Sequence, residues 1–278
     1  MKKINVGFIG YGNMAQAISS AMVSGTSKYL LKNCGYKIKV AVSDSDENKL
    51  RNLPVNITAV TDNARLAEAC DVIILSVKPQ HALEAVKNVN FAGKLVVSIM
   101  AGVGLSALKA LTGGATEKII RVMPNLNARV GASYSVYCGD KSLVAEKKFV
   151  KALLSTFGEA REINEKEINA AMGVCGSGPA FVFKFINALY ENGIANGLDK
   201  SLAREMALST VIGSAYLVES AGSDVNIPEL VKSVCSKGGT TIEGVDFLDE
   251  NGFESIVSGA VDKAVKRADE MSVENEKR

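Results

Sequence analysis

Residues 4–15 read Ile-Asn-Val-Gly-Phe-Ile-Gly-Tyr-Gly-Asn-Met-Ala. Ile4–Ile9 is an apolar run with the character of a buried strand, and Met14–Val23 reads as a helix. Between them Gly10-x-Gly12-x-x-Ala15 stands where a phosphate-binding turn belongs. The first glycine permits the tight turn, the second lets the backbone approach a pyrophosphate, and the small Ala15 lets helix and strand pack closely. Amides at the helix N-terminus then face the phosphates. The competing reading of these residues is a tight structural turn.

Outward from this unit, strand and helix signals alternate. Lys37–Ser43, with Ile38, Val40 and Val42 alternating, predicts a second strand. Asp46–Leu53 predicts a short helix ended by Pro54, Ile57–Val60 a weak strand, and Asp62–Cys70 a helix. Asp71–Val77 is a further apolar strand, and Pro79 opens a helix at its favoured first position. Lys94–Ile99 and Ile119–Met123 predict strands, with a helix over Leu105–Leu111 between them. Such alternation argues for a parallel sheet covered on both faces. Gly131–Tyr137 adds an antiparallel strand or two, and Leu143–Phe157 is an amphipathic helix.

After Ile163 strand signals stop. Asn164 with Glu167 three residues later marks a capping-box-like start. Helices are expected over 165–174, 178–196, 199–221, 227–235, 240–250 and 253–270. The expected architecture is therefore an α/β Rossmann-like domain with a doubly wound, mostly parallel sheet over 1–163. An all-α domain follows over 164–278. Ala260, Val261, Ala264, Val265 and Ala268 form a small-residue stripe that reads as core or as a partner-helix face. The polar tail Ser272–Arg278 is expected to fray.

Composition excludes several classes. Lys and Arg total 32 against 30 Asp and Glu, which leaves no electrostatic footprint for nucleic acid or an anionic membrane. The single histidine, His81, rules out a His-rich metal site, and no metal is expected. Cys34, Cys70, Cys138, Cys175 and Cys235 are odd in number and lack Cys-x-x-Cys spacing, so free thiols in a reducing cytoplasm are expected. Gly7, Gly10 and Gly12 interrupt any signal-peptide core, and the longest aliphatic run, Val72–Leu75, is far short of the roughly 20 residues a membrane helix needs. A cytoplasmic location follows as an expectation.

Candidate site residues cluster at predicted strand ends. After the second strand, Asp44 either accepts from an adenosine ribose 2′-hydroxyl, favouring NADH, or caps the next helix. Ser43 and Ser45 are placed to hydrogen-bond a 2′-phosphate, although no Arg stands nearby. The spacing from Gly12 exceeds the usual ~20 residues because Thr26–Gly35 is inserted. Val77-Lys78-Pro79, Met100-Ala101-Gly102 and Met123-Pro124-Asn125 follow three further strands, at the sheet edge where ligands sit. Lys78 also reads as a solvated loop lysine. Gly176-Ser177-Gly178-Pro179-Ala180-Phe181 precedes a long apolar helix and is read first as close helix packing. Ser236-Lys237-Gly238-Gly239-Thr240-Thr241 joins two helices. A Gly-Gly loop entering a helix, with two hydroxyls and the helix dipole, suits a carboxylate. The plainer reading is a flexible turn with Thr240 as N-cap.

Together these motifs, in this order, resemble pyrroline-5-carboxylate reductase from Gly7 to about Val265. The resemblance implies reduction of 1-pyrroline-5-carboxylate to L-proline, the last step of proline biosynthesis, with NADPH or NADH. It also implies a helical domain that interleaves with a partner into a dimer, often stacked into decamers. By motif, Gly10, Gly12, Asn13 and Met14 would contact the pyrophosphate side. Asn63, Val77, Lys78, Pro79, Ala101 and Gly102 would line the cofactor groove, whose ribose end is where Ser43 and Asp44 stand as candidates by their own reading. Ser236, Gly238, Gly239, Thr240 and Thr241 would hold substrate, with Thr241 hydrogen-bonding the ring nitrogen as the catalytic residue. Lys237 replaces the family's common proline, and Leu126-Asn127 replaces its Thr-Pro.

Two other readings compete. A β-hydroxyacid dehydrogenase would share Gly173, Gly176 and Gly178, but its catalytic lysine belongs at Val182, and Lys184 is two residues late. A non-enzymatic dinucleotide sensor that only dimerises would not need the anion-binding loop.

Overall fold

The computed structural model describes residues 1–276. Strand β1 (Lys2–Ile9) leads through the glycine turn into α1 (Asn13–Met22). The segment before β2 (Tyr36–Ser43) is a helix, α2 (Gly25–Asn33), capped by the Ser24 hydroxyl accepting from the Ser27 N–H. Then come β3 (Ile57–Ala59), α3 (Asn63–Ala69), β4 (Val72–Leu75), α4 (Ala82–Val86) and β5 (Leu95–Ser98). They are followed by α5 (Leu105–Leu111), β6 (Ile119–Met123), β7 (Ser133–Gly139), α6 (Val144–Leu154) and β8 (Gly158–Glu162).

The strands form one sheet in the order β3-β2-β1-β4-β5-β6-β7-β8. Neighbours from β3 to β6 run parallel, β7 is antiparallel to β6, and β8 is parallel to β7. This is the expected Rossmann-like, doubly wound sheet. β4 and β5 are buried along their whole lengths, as parallel strands covered on both faces must be. Alternation sends Val72 and Ile74 to one core, with Phe8, Ile18 and Phe157, while Ile73 and Leu75 join Leu66 and Leu108 in the other.

Two local expectations change within the sheet-bearing part. The amphipathic helix predicted to Phe157 stops at Leu154, and β8 follows it. Its sequence, Gly-Glu-Ala-Arg-Glu, carries one apolar side chain, because an edge strand is paired on one side only. The helix expected over Asp46–Leu53 is only a 3₁₀ turn, Glu47–Leu50, N-capped by Asp46.

Beyond Glu162 the described chain is helical. The Asn164–Glu167 capping box forms and leads into α7 (Ile168–Ala171). A π-turn over Met172–Gly176 then precedes α8 (Gly178–Ala195), where a single α-helix to 174 was expected. α9 (Lys200–Ser220), α10 (Ile227–Val234), α11 (Thr240–Glu250) and α12 (Phe253–Glu276) complete the chain. The expected frayed tail is therefore helical as far as Glu276, and Lys277 and Arg278 lie outside the described residues.

The chain forms two compact units, one of residues 1–177 with the segment from Lys263, the other Gly178–Asp262. In the second unit α8 and α9 form a hairpin, with Asp199 capping α9 and Gly193 against Ala203. Only Ala203 and Ala207 of this unit are buried among the described residues. Phe183, Met206, Ile212, Tyr216, Phe247 and Ile256 are each more than half exposed. Helices that bury so little of their apolar surface require a partner to cover it. The helical run Glu165–Ala195 is long and apolar enough to cross a bilayer by length and composition alone, although it holds no long unbroken aliphatic run.

Candidate active site

β1 delivers its C-terminal end between β2 and β4, at the point where strand order reverses. Gly10 has φ +93°, and a Cβ there would lie 2.7 Å from Val77 Cγ1 and 2.9 Å from the Ser76 carbonyl. Only glycine fits this turn. Its N–H donates to the Ser43 carbonyl at 2.9 Å, and its carbonyl accepts from Ser76 Oγ at 2.7 Å. Gly12 then N-caps α1 without a side-chain bond, and nothing lies within 4 Å of where its Cβ would be. Gly10 and Gly12, the latter at the N-terminus of α1, line a cleft of about 530 Å³. An uncapped helix N-terminus beside a bare glycine fits a dinucleotide pyrophosphate.

Of the expected cofactor residues, Gly10, Gly12, Asp44, Asn63, Val77 and Lys78 line this cleft. Ser43 does not. It is buried, and its hydroxyl donates to Asn63 Oδ1 at 2.6 Å, so it positions Asn63 rather than reaching a phosphate. Asn63 Nδ2 in turn donates to the Ala85 carbonyl at 2.8 Å. Asn13 is exposed in the first turn of α1, Met14 packs against the core, and Pro79 opens a 3₁₀ turn. These three, with Ala101 and Gly102, do not line the cleft.

Asp44 neither faces outward nor caps the next turn, which Asp46 does. Its carboxylate accepts the Tyr11 N–H at 2.7 Å and the Asp46 N–H at 2.9 Å, and both its oxygens accept from Lys49 Nζ, at 3.0 and 3.1 Å. Burial pushes its pKa up, but these donors outweigh that and hold it below the ordinary carboxylate range. Lys49, His81 and Glu84 also line the cleft. Their sequence signal is that of solvated charges on a turn and a short helix, so only the fold identifies them.

The loop after β5 is tied to the end of α12. The Gly102 carbonyl accepts from Asn275 Nδ2 at 2.9 Å, and the backbone and side chain of Met271 lie against Gly102. Glu165 Oε1 accepts the Leu105 N–H at 2.6 Å and lies 3.6 Å from the buried Arg121 guanidinium. Arg121 donates to Asn169, which donates to Asp269 and Ser272 of α12. Burial raises the Cys70 thiol pKa to about 11 and that of Cys138 to about 12, so neither is a thiolate nucleophile near neutral pH. Among the described residues no group of His, Cys, Asp and Glu is placed to hold a metal.

In the second unit, the Gly239 N–H donates to the Ser236 carbonyl at 2.9 Å, and Gly238 has φ +71°. Gly239, not Thr240, is the N-cap of α11, and no side chain satisfies the helix there. The loop is mostly exposed, and the Ser236, Thr240 and Thr241 hydroxyls make no hydrogen bond among the described residues. First-turn amides that no side chain caps, in a loop that also carries three hydroxyls, have the chemistry that suits a small anion.

The family description "Pyrroline-5-carboxylate reductase dimerisation" matches residues 165–271, and "NADP oxidoreductase coenzyme F420-dependent" matches 5–102. A pyrroline-5-carboxylate reductase of Aquifex aeolicus is 35% identical over 271 residues, 96% of this chain and 97% of the relative. The chain belongs to the pyrroline-5-carboxylate reductase family. The Arabidopsis thaliana reductase is also 35% identical, over 98% of this chain and 96% of its own. Pyrroline carboxylate reductase of Plasmodium falciparum, solved with NADP bound, superposes with a TM-score of 0.83 at 29% identity, covering 97% of this chain and 98% of that one. The helices with exposed apolar faces lie within this reductase family's dimerisation region.

Proposed function

We propose that this chain reduces the C=N bond of 1-pyrroline-5-carboxylate to give L-proline, using NADPH or NADH. Full-length identity to reductases of that name carries the reading. The cleft at Gly10–Gly12 and the loop at 236–241 supply chemistry that fits it. A bound reduced nicotinamide supplies the hydride. The substrate enters as an iminium, already protonated and electrophilic at C5, so no side chain has to donate a proton. What the protein contributes is orientation.

In this proposal residues 1–163 hold the dinucleotide. The α1 amides and Gly12 hold the pyrophosphate, with Asn13 and Met14 in the same turn. Asn63, Val77, Lys78 and Pro79 flank it, and Ala101 and Gly102 sit toward the nicotinamide. Residues 164–278 dimerise and bind substrate. The α11 amides, with Ser236, Gly238, Gly239 and Thr240, grip the carboxylate. The Thr241 hydroxyl accepts from the ring N–H in both iminium and amine. The proposed assembly is a dimer that stacks into decamers in the cytoplasm.

The direct test is dinucleotide oxidation by purified protein with pyrroline-5-carboxylate, NADPH and NADH being compared. No turnover with either would end this reading. Thr241→Ala is expected to lower kcat/KM about tenfold or more, the scale of one hydrogen bond of roughly 1.4 kcal/mol or above. An unchanged value would remove Thr241 from the reaction.

A further inference from the structure

We propose that Lys49 selects the 2′-phosphorylated dinucleotide, with Asp44 acting as its anchor rather than as a receptor for ribose hydroxyls. The inference rests on the cleft at Gly10–Gly12 being the dinucleotide site.

An acidic residue at the end of the second strand usually favours NAD by accepting the ribose 2′-hydroxyl. That requires a carboxylate with free acceptor positions facing the ligand. Asp44 has its oxygens occupied by two backbone N–H groups and one ammonium, and its side chain is only 8% exposed. Turning it outward would leave the Tyr11 N–H unpaired inside the glycine turn that shapes the cleft. Lys49 is the complementary case. Its side chain is 38% exposed, it lines the same cleft, and two contacts to Asp44 fix its ammonium beside the end of β2. A third ammonium proton remains for a ligand. A 2′-phosphate arriving there meets a preplaced cation whose partner is already satisfied, and Ser45 adds a hydroxyl on the same wall. Lys78 and His81 also line the cleft, with Glu84 as the opposing charge, but none of them is held by Asp44.

Calorimetric titration of the full-length protein with NADP⁺ and NAD⁺ tests the idea without turnover. The wild type is expected to bind NADP⁺ at least about tenfold more tightly, the scale of one charge-assisted hydrogen bond. Lys49→Ala should lose about tenfold or more for NADP⁺ while NAD⁺ changes by less than about threefold, and Lys49→Arg should keep the preference. Adenosine 2′,5′-bisphosphate against 5′-AMP should repeat the pattern. Equal losses for both dinucleotides, or a wild type preferring NAD⁺, would overturn the assignment to Lys49 while leaving the cleft intact. If neither dinucleotide bound the wild type, the cleft reading itself would fall, and this proposal with it.

Discussion

Gly10→Ala is expected to lower kcat/KM by at least about a hundredfold and to raise the dissociation constant for NADP⁺ by a similar factor. The left-handed backbone alone costs a non-glycine residue roughly 1–2 kcal/mol. The larger cost is steric. The new methyl would lie 2.7 Å from Val77 Cγ1 and 2.9 Å from the Ser76 carbonyl, so backbone must move, not just a side-chain tip. The movement breaks the Gly10 hydrogen bonds to Ser43 and Ser76 and displaces Tyr11 from Asp44. Gly12→Ala is the matched control. Nothing lies within 4 Å of its Cβ position, so the thermal midpoint should hold while dinucleotide affinity falls. Titration with NADP⁺, steady-state kinetics and a thermal melt check both variants. A Gly10→Ala protein with wild-type affinity would show that the turn is not where the dinucleotide lies.

Phe247→Asp is expected to reduce the assembly to single chains of 29.3 kDa and to cost at least about a hundredfold in kcat/KM. Phe247 is 65% exposed on α11, the helix whose first turn follows the proposed substrate loop. Covering such a ring is worth roughly 1.5–3 kcal/mol, and burying an unpaired carboxylate in its place costs several more. Two-fold symmetry counts each change twice. Light scattering coupled to size exclusion reads the mass. An unchanged mass would remove Phe247 from the contact. A fully active single chain would sink the shared-helix picture.

The sheet was legible because parallel strands buried on both faces must be continuous apolar runs, as Val72–Leu75 is. The turn after β1 was legible because Gly10, with φ +93° and set against Val77 and Ser76, answers a geometric demand that no other residue meets. What stayed hidden depends on tertiary partners. β8 is an edge strand with polar side chains, and α2 carries too little apolar periodicity to show as a helix in the sequence. Ser43 reads as a ligand in sequence because a hydroxyl at a strand end looks available, yet Asn63 takes it. Lys49 reads as solvated because nothing local indicates that Asp44 will hold it. At 236–241 the plainer reading made Thr240 the cap, but the cap is Gly239, since the helix begins one residue earlier than that reading required.

Connectivity has a practical consequence. The polypeptide leaves the sheet-bearing unit at Ser177 and rejoins it at Lys263, so the helical unit is a guest spliced into its host. Residues Ala268, Met271 and Asn275 belong to the host, where Met271 and Asn275 touch Gly102. Nonsense mutations between Lys263 and Asn275 would thus injure the nucleotide half first. Progressive C-terminal deletion should weaken NADP⁺ binding before it removes any residue of the guest, and intact binding in a chain ended at Asp262 would show that the clasp on Gly102 is dispensable.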